Sequence, residues 1–317
     1  MNFDIYQNKI CVVTGAASGV GLTTARQLVL CGAKVYAIDC NRIHVDGVKP
    51  IICNLSNKKS IDRAFQEIPN HIDYFFGIAG LSGAKTDYYT TFTVNFIANK
   101  YITDEYLKTR MNSNGAIVYM SSIAGNYWEK YSSEFRSFLK AKSWDKMIQI
   151  LEKKFDKDAP GITAYPMSNR ALNYFMTEKA IEFADMNIRV NSLLSGAIDT
   201  PMFQEFQKET NGYDKLLFQN GLLEKLATPE EIAMPLLFLN SSYASFITGI
   251  CLPTDFGYGA QIKLGKKRDY LDMKVSSKLF NIGMVQNQIK KRHPEENLST
   301  ADTNPPVQYD KDGIEIL

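Results

Sequence analysis

Val13-Thr14-Gly15-Ala16-Ala17-Ser18-Gly19-Val20-Gly21 decides the fold. It follows the apolar run Lys9-Ile10-Cys11-Val12-Val13 and leads straight into Leu22-Thr23-Thr24-Ala25-Arg26-Gln27-Leu28-Val29-Leu30, which has the pattern of an amphipathic helix. A buried strand, a glycine turn and a helix start in that order make a place for a pyrophosphate. Glycines let the backbone turn tightly and approach the phosphates, and the free N–H groups and positive dipole end of the helix face the negative charge. A lone Gly-x-x-x-Gly-x-Gly also fits an incidental turn, so the rest of the chain carries weight.

The next strand, Lys34-Val35-Tyr36-Ala37-Ile38, ends at Asp39. A carboxylate at the tip of the second strand is placed to accept hydrogen bonds from the adenosine ribose and to repel a 2′-phosphate. Nothing basic stands at Ala17 or Ser18 to receive such a phosphate. The expected cofactor is therefore NAD rather than NADP. Gly15, Ser18, Gly19, Val20, Gly21 and Asp39 are the candidate cofactor-binding residues of this first unit.

Bulk properties narrow the classes. The chain has 317 residues, enough for one large α/β domain, and a formal net charge of +2 with its basic residues dispersed, so no nucleic-acid footprint is visible. Cysteines occur at 11, 31, 40, 53 and 251 without metal-ligand spacing, which points to no metal and to a reducing compartment. No leader pattern or membrane-length apolar run is evident, so a soluble cytoplasmic protein is expected.

Apolar strands and helices alternate along the chain: strands at 9–14, 34–39, 50–53, 72–78, 115–121 and 187–194, with helices near 20–31, 57–68 and 90–111. That order predicts an α/β, doubly wound parallel sheet with right-handed crossovers and helices on both faces. The expected domain is 1–262, with a helical insertion about 126–160 and a C-terminal extension at 263–317. The insertion stretch Tyr131 to Phe155 reads as helix, with Phe135, Phe138, Leu139, Trp144, Met147, Ile148 and Leu151 on an apolar stripe. In the extension, Lys266 to Lys291 has the pattern of a helix and 290–312 is polar and aperiodic.

Over roughly residues 8–260 the sequence resembles the short-chain dehydrogenase/reductase family, and within it the bacterial 3α-hydroxysteroid dehydrogenase/carbonyl reductase branch. Asn54-Leu55 stands where the family has an Asp and an apolar residue around the adenine, Gly77-Ile78-Ala79-Gly80 resembles its Asn-Asn-Ala-Gly segment, and Asn95 matches its structural and proton-relay asparagine. The run Gly115 to Gly125 resembles the strand carrying the catalytic serine, which falls on Ser122. Arg189 to Thr200 resembles the segment that holds the nicotinamide, here through Ala197, Ile198 and Thr200, with Ser195 at a usual proline. Ala227 to Ala233, Ile247-Thr248-Gly249 and Asp255-Phe256-Gly257 match the closing helix and last strand.

The resemblance implies that Tyr165, in Ala164-Tyr165-Pro166-Met167-Ser168-Asn169, exchanges the proton of the substrate oxygen while Ser122 orients and polarises it and Asn95 supports the relay. A free phenol has a pKa near ~10 and is a poor base at neutral pH. The family answers with a lysine one turn on, which stabilises the phenolate and binds the ribose. Here that position is Asn169, which brings hydrogen bonds and no charge. Arg170 lies about 100° further round the helix, off the needed face. Three readings of Asn169 stand: a dehydrogenase with weakened acid/base chemistry, a substitution at a lysine, or an NAD-binding protein that does not turn over.

On the substrate side, Pro201, Met202, Phe203, Phe206, Leu216, Leu217 and Phe218 occupy the usual lid, and Tyr127 and Trp128 come from the insertion. Together they predict an apolar pocket for a hydrophobic small-molecule ketone or alcohol, steroid-like or aryl. Family members usually dimerise or tetramerise through helices corresponding to 90–111 and 165–184. A homo-oligomer is expected, a dimer before a tetramer.

Overall fold

The computed structural model describes residues 4–156, 158–210, 222, 225–267, 269, 272, 308–309 and 315–316. It builds a seven-stranded parallel sheet from β1 (Ile10–Thr14), β2 (Lys34–Asp39), β3 (Val48–Ile52), β4 (Ile72–Gly77), β5 (Met111–Ser122), β6 (Arg189–Ser195) and β7 (Cys251–Thr254). Their order across the sheet is β3-β2-β1-β4-β5-β6-β7. The order reverses between β1 and β4, and in such sheets the crevice beyond the strand ends at that switch point is where ligands bind. All five residues of β1 are buried, as a strand covered on both faces requires.

Helices α1 (Gly19–Leu30), α2 (Lys58–Gln66), a long helical run 88–110 (α3), α6 (Gly161–Glu182) and α8 (Pro229–Asn240) flank the sheet. Local chemistry sets their starts. Asn57 caps α2 through Ser60 N at 3.1 Å. Thr228 and Glu231 cap α8 reciprocally, with Pro229 in the first helical position. Within α3 the hydrogen bonding widens to i→i+5 at Thr93–Ile97 and Thr103–Leu107, and Asn95 sits in the first of these bulges.

The insertion is helical, but not one helix. It forms α4 (Arg136–Lys140) and α5 (Trp144–Lys154), because Ser143 leaves helical geometry to cap α5 through Lys146 N at 3.2 Å. The stripe lands in the core: Phe135, Phe138, Trp144, Met147 and Leu151 are buried, with Leu139 and Ile148 partly so. Its partners are the aromatics of α3. Phe138 lies 5.1 Å from Phe92 and 6.1 Å from Phe96, and Trp144 lies 5.5 Å from Tyr101, edge to face.

Three strand starts differ from the sequence reading by two residues or more. β3 begins at Val48, two residues earlier than expected, since its pairing starts at Val35↔Val48. β5 runs from Met111, through polar residues that pair with β4 at Ile72 before a register shift. β6 starts at Arg189, after the left-handed turn at Asn187. The chain divides into two units, 1–281 and 282–317. The first reaches past residue 262 because Lys130 and Tyr131 hold Asp272 at 2.7 and 2.9 Å and Tyr127 holds Asp269. In the second, Gln308–Tyr309 and Glu315–Ile316 pair antiparallel. Of the helix expected from Lys266 to Lys291, the described residues 266, 267, 269 and 272 are not helical, and the others lie outside the described residues, as does the rest of 273–307.

Candidate active site

A cleft of about 460 Å³ opens at the switch point. It is lined by Gly15, Ser18, Gly19, Val20, Gly21, Asp39, Asn54, Leu55, Ala79, Gly80, Asn95, Ser122, Tyr165, Asn169, Ala197, Ile198 and Thr200, so every candidate catalytic and cofactor-binding residue of the sequence comes to one place.

The glycine loop is a cradle that side chains would fill. Gly15 has φ +75°, and a Cβ there would stand 2.8 Å from the Cα of Ala79. A Cβ on Gly21 would stand 2.0 Å from the carbonyl oxygen of Gly15. Ser18 precedes α1 without a side-chain capping bond, which leaves the first-turn N–H groups of the helix to a ligand. Asp39 fixes the loop from the side: its carboxylate accepts from Ala17 N at 3.0 Å and Asn41 N at 2.8 Å. Thr14 Oγ accepts from Ile78 N and Ala79 N at 3.0 and 3.1 Å, tying the loop to the end of β4. These features fit a dinucleotide.

Asn54 lines the cleft and also makes local bonds through its side-chain amide. Its carbonyl oxygen already accepts from Ser56 N at 2.9 Å and Ser56 Oγ at 2.8 Å. An adenine amino group could reach that oxygen only by displacing the Ser56 hydroxyl, so the side chain shapes the 54–56 turn first. Beyond β6, Ala197 O accepts from Ala227 N at 3.0 Å and Asp199 N donates to Ala227 O at 2.9 Å, which holds Ala197, Ile198 and Thr200 extended along the cleft wall.

Ser122 and Tyr165 form the chemical centre. Ser122 ends β5, accepts from Ala124 N at 3.2 Å and hydrogen-bonds the phenol of Tyr165, which rises from α6. Burial pushes the Tyr165 phenol above its ordinary value, and the Ser122 hydroxyl offsets that only in part. Among the described residues that line the cleft there is no lysine or arginine. Asn169, 5 % exposed, accepts from Ser121 Oγ at 3.2 Å and donates to the Tyr165 carbonyl at 2.8 Å. Arg170 is 1 % exposed and turned to the insertion, donating to Asn126 O at 3.1 Å with its guanidinium 4.4 Å from the Tyr131 ring. The step round the helix that argued against it is realised.

Asn95 braces rather than faces the phenol. Its Oδ1 accepts from Leu81 N at 2.7 Å, and its Nδ2 donates to Leu81 O at 3.0 Å and Ser168 Oγ at 3.2 Å. The lid helix α7 (Pro201–Thr210) supplies Met202, Phe203 and Phe206 to the cleft, with the Phe206 ring edge-on to Tyr165 at 5.0 Å. Leu216, Leu217 and Phe218 lie outside the described residues. Tyr127 and Trp128 are corrected: neither lines the cleft. Trp128 stacks on Tyr174 at 5.8 Å and Tyr127 turns to Asp269, because the left-handed backbone at Tyr127 (φ 63°) swings both rings away.

The sequence reading missed Ser121 and Glu205. Ser121 immediately precedes the serine singled out, and it reaches Asn169. Glu205 accepts from Ser82 Oγ at 2.7 Å and Lys85 Nζ at 2.8 Å, joining α7 to the loop after β4. Its place one turn beyond Pro201 on a lid helix was the available signal.

Comparison with known proteins agrees with this geometry. The family profile described as short chain dehydrogenase matches residues 9–137, and that described as enoyl-(acyl carrier protein) reductase matches residues 146–259. The chain belongs to the short-chain dehydrogenase/reductase family of oxidoreductases. It is 29% identical to coniferyl-alcohol dehydrogenase of Pseudomonas sp. strain HR199 over 79% of this chain and 96% of that one. It is 23% identical to 3-alpha-hydroxysteroid dehydrogenase/carbonyl reductase of Comamonas testosteroni, over 80% and 98%. The fold is shared with the NADH complex of the 3-alpha-hydroxysteroid dehydrogenase from Pseudomonas sp. B-0831, at TM-score 0.67, 21% identity and coverage of 82% and 100%. No helix among the described residues is long and apolar enough to cross a membrane.

Proposed function

We propose that the protein is an NAD(H)-dependent oxidoreductase that interconverts a hydrophobic secondary alcohol, steroid-like or aryl, with its ketone, and that Asn169 weakens its acid/base chemistry. The observation that carries this reading is the hydrogen-bonded Ser122–Tyr165 pair under the apolar lid of Met202, Phe203 and Phe206. Several relatives bear the names of alcohol or hydroxysteroid dehydrogenases, which supports the reaction class.

When bound, a nicotinamide supplies or accepts the hydride at the substrate carbon. The cradle of Gly15, Ser18, Gly19, Val20 and Gly21 would hold its pyrophosphate, Asp39 the adenosine ribose, Asn54, Leu55, Ala79 and Gly80 the adenine side, and Ala197, Ile198 and Thr200 the nicotinamide side. Ser122 donates to the substrate oxygen and fixes its position. Tyr165 exchanges the proton with that oxygen, and the ring of Phe206 beside it excludes water. Asn169 and Asn95 position the helix and loop around the phenol; neither adds charge.

That the described residues lining the cleft include no cation, with Asn169 at the position beside Tyr165, favours a second reading, an NAD-binding protein of this fold without turnover. Mixing the protein with NADH and a panel of hydrophobic ketones, and following NADH absorbance, separates the two. Consumption with an aryl or steroid ketone is expected; NADH binding without consumption of any ketone supports the second reading. A cytoplasmic homo-oligomer accompanies the proposal, a dimer before a tetramer, since α4 and α5 cover one face of α3. Light scattering that reads a monomer at micromolar concentration contradicts the assembly.

A further inference from the structure

Two thiols stand at the adenine end of the cleft. Cys40 and Cys53 both line it, whereas Cys11, Cys31 and Cys251 do not. The parallel pairing of β2 with β3 reaches Asp39↔Ile52, and Cys53 N donates to Asp39 O at 2.7 Å. One further step in that register sets Cys40 beside Cys53. Neighbouring strands lie about 4.8 Å apart, within the roughly 4.4–6.8 Å between Cα atoms that a disulfide spans. The thiols sense each other, since charge on Cys40 disfavours ionisation of Cys53. They differ in access: Cys40 is exposed and Cys53 is buried.

We propose that Cys40 and Cys53 form a reversible disulfide that closes the adenine end of the cleft and makes cofactor binding redox-sensitive; the gating half rests on the nucleotide reading of this site. The co-reactant is a low-mass disulfide such as oxidised glutathione. The Cys40 thiolate attacks one of its sulfurs, breaking that S–S bond and expelling one thiolate. Cys53 then loses its proton to solvent and attacks the Cys40 sulfur, expelling the second. The protein pair loses two electrons, the reagent gains them, and the two thiol protons finish on the expelled thiolates. Burial, followed by the Asp39 carboxylate, holds the Cys40 thiol above its ordinary value, so exchange accelerates as pH rises. Bond formation draws Cys40 onto Cys53 and pulls the 39–41 turn, whose Asp39 carboxylate braces Ala17 of the glycine loop.

The test treats the full chain with oxidised glutathione, maps disulfides by mass spectrometry of an unreduced digest, and titrates NADH by fluorescence. A linked Cys40–Cys53 peptide pair is expected, with NADH affinity at least about tenfold lower and restored by dithiothreitol. Cys40→Ser and Cys53→Ala should each show the same NADH affinity before and after oxidant. Absence of the linked peptide overturns the thiol pair. A linked peptide with undiminished NADH affinity overturns the gate. Failure of the reduced protein to bind NADH overturns the cofactor reading, and the gate with it, while the digest still decides the disulfide.

Discussion

Asn169 turns back on its own helix, its Nδ2 donating to the carbonyl oxygen of Tyr165 at 2.8 Å. With Ser121 Oγ on its Oδ1 at 3.2 Å, the amide is satisfied inside the protein, and among the described residues it is Ser122 whose hydrogen bond lowers the Tyr165 pKa. Burial is the larger influence on the phenol and keeps it protonated. Carbinol oxidation should therefore increase with alkaline pH, because the ionised fraction of a phenol titrating above ~10 grows about tenfold per unit below its pKa. A rate profile for oxidation that is flat from neutral to alkaline pH would contradict this.

Tyr165→Phe removes the one phenol oxygen at the reacting position among the described residues, and Ser122→Ala removes a hydrogen-bonding partner of it. Loss of positioned acid/base chemistry is worth ~100-fold or more. Steady-state assays with NADH and an active ketone should show turnover lost in the first variant and at least about a hundredfold lower in the second. Full activity in Tyr165→Phe would remove tyrosine from the mechanism.

Gly21→Ala places a methyl 2.0 Å from the Gly15 carbonyl. The backbone must move to admit it, at a cost of about 1–3 kcal/mol typical of overpacking. The variant should lose NADH affinity by at least about tenfold and melt at lower temperature. Wild-type affinity by fluorescence titration would show that the cradle does not hold the pyrophosphate.

Asp39→Ala tests the basis of cofactor choice. The wild-type protein should bind NADH more tightly than NADPH, and the variant should narrow that preference by about tenfold, equivalent to roughly 1.4 kcal/mol. The variant also frees Ala17 N, so some loss of NADH affinity belongs to the same substitution. Tighter NADPH than NADH binding by the wild type would refute the role given to Asp39.

Phe138→Ala tests whether the insertion belongs to the core. The ring is fully buried between Phe92 and Phe96, and its removal should cost about 3–5 kcal/mol in chemical denaturation. A shift below about 1 kcal/mol would mean that α4 is dispensable packing.

The parallel, doubly wound sheet and the residues of the cleft were readable because a local pattern carried each. The buried run before Gly15 and the glycine turn place β1 and α1, and Asp39 ends β2; all rest on residues adjacent in sequence. What failed depended on backbone direction or distant partners. Trp128 looked like a pocket aromatic because an apolar ring on an insertion carries no mark of where it points, and the left-handed Tyr127 turns it onto Tyr174. The break at Ser143 is carried by the phase of the stripe itself: at about 100° per residue, Phe135, Phe138 and Leu139 point opposite to Trp144, Met147, Ile148 and Leu151, and reading the two runs as one stripe missed it. Asn54 has the chemistry to meet adenine, and only the fold reveals that Ser56 occupies its oxygen. The absence of charge at Asn169 was visible at once; its engagement with Ser121 and the Tyr165 carbonyl was not.

Asn169→Lys puts an ammonium into the cleft one helical turn from Tyr165 and releases Ser121. A fall of one unit in the phenol pKa corresponds to about 1.4 kcal/mol in favour of phenolate. Ketone reduction should accelerate at least about tenfold near neutral pH. The gain in alcohol oxidation should be largest there and shrink as alkali ionises Tyr165 unaided, and Tyr165→Phe should abolish it. An Asn169→Lys protein that binds NADH yet reduces no ketone faster than the wild type would contradict the weakened-enzyme reading and leave a cofactor-binding protein in its place.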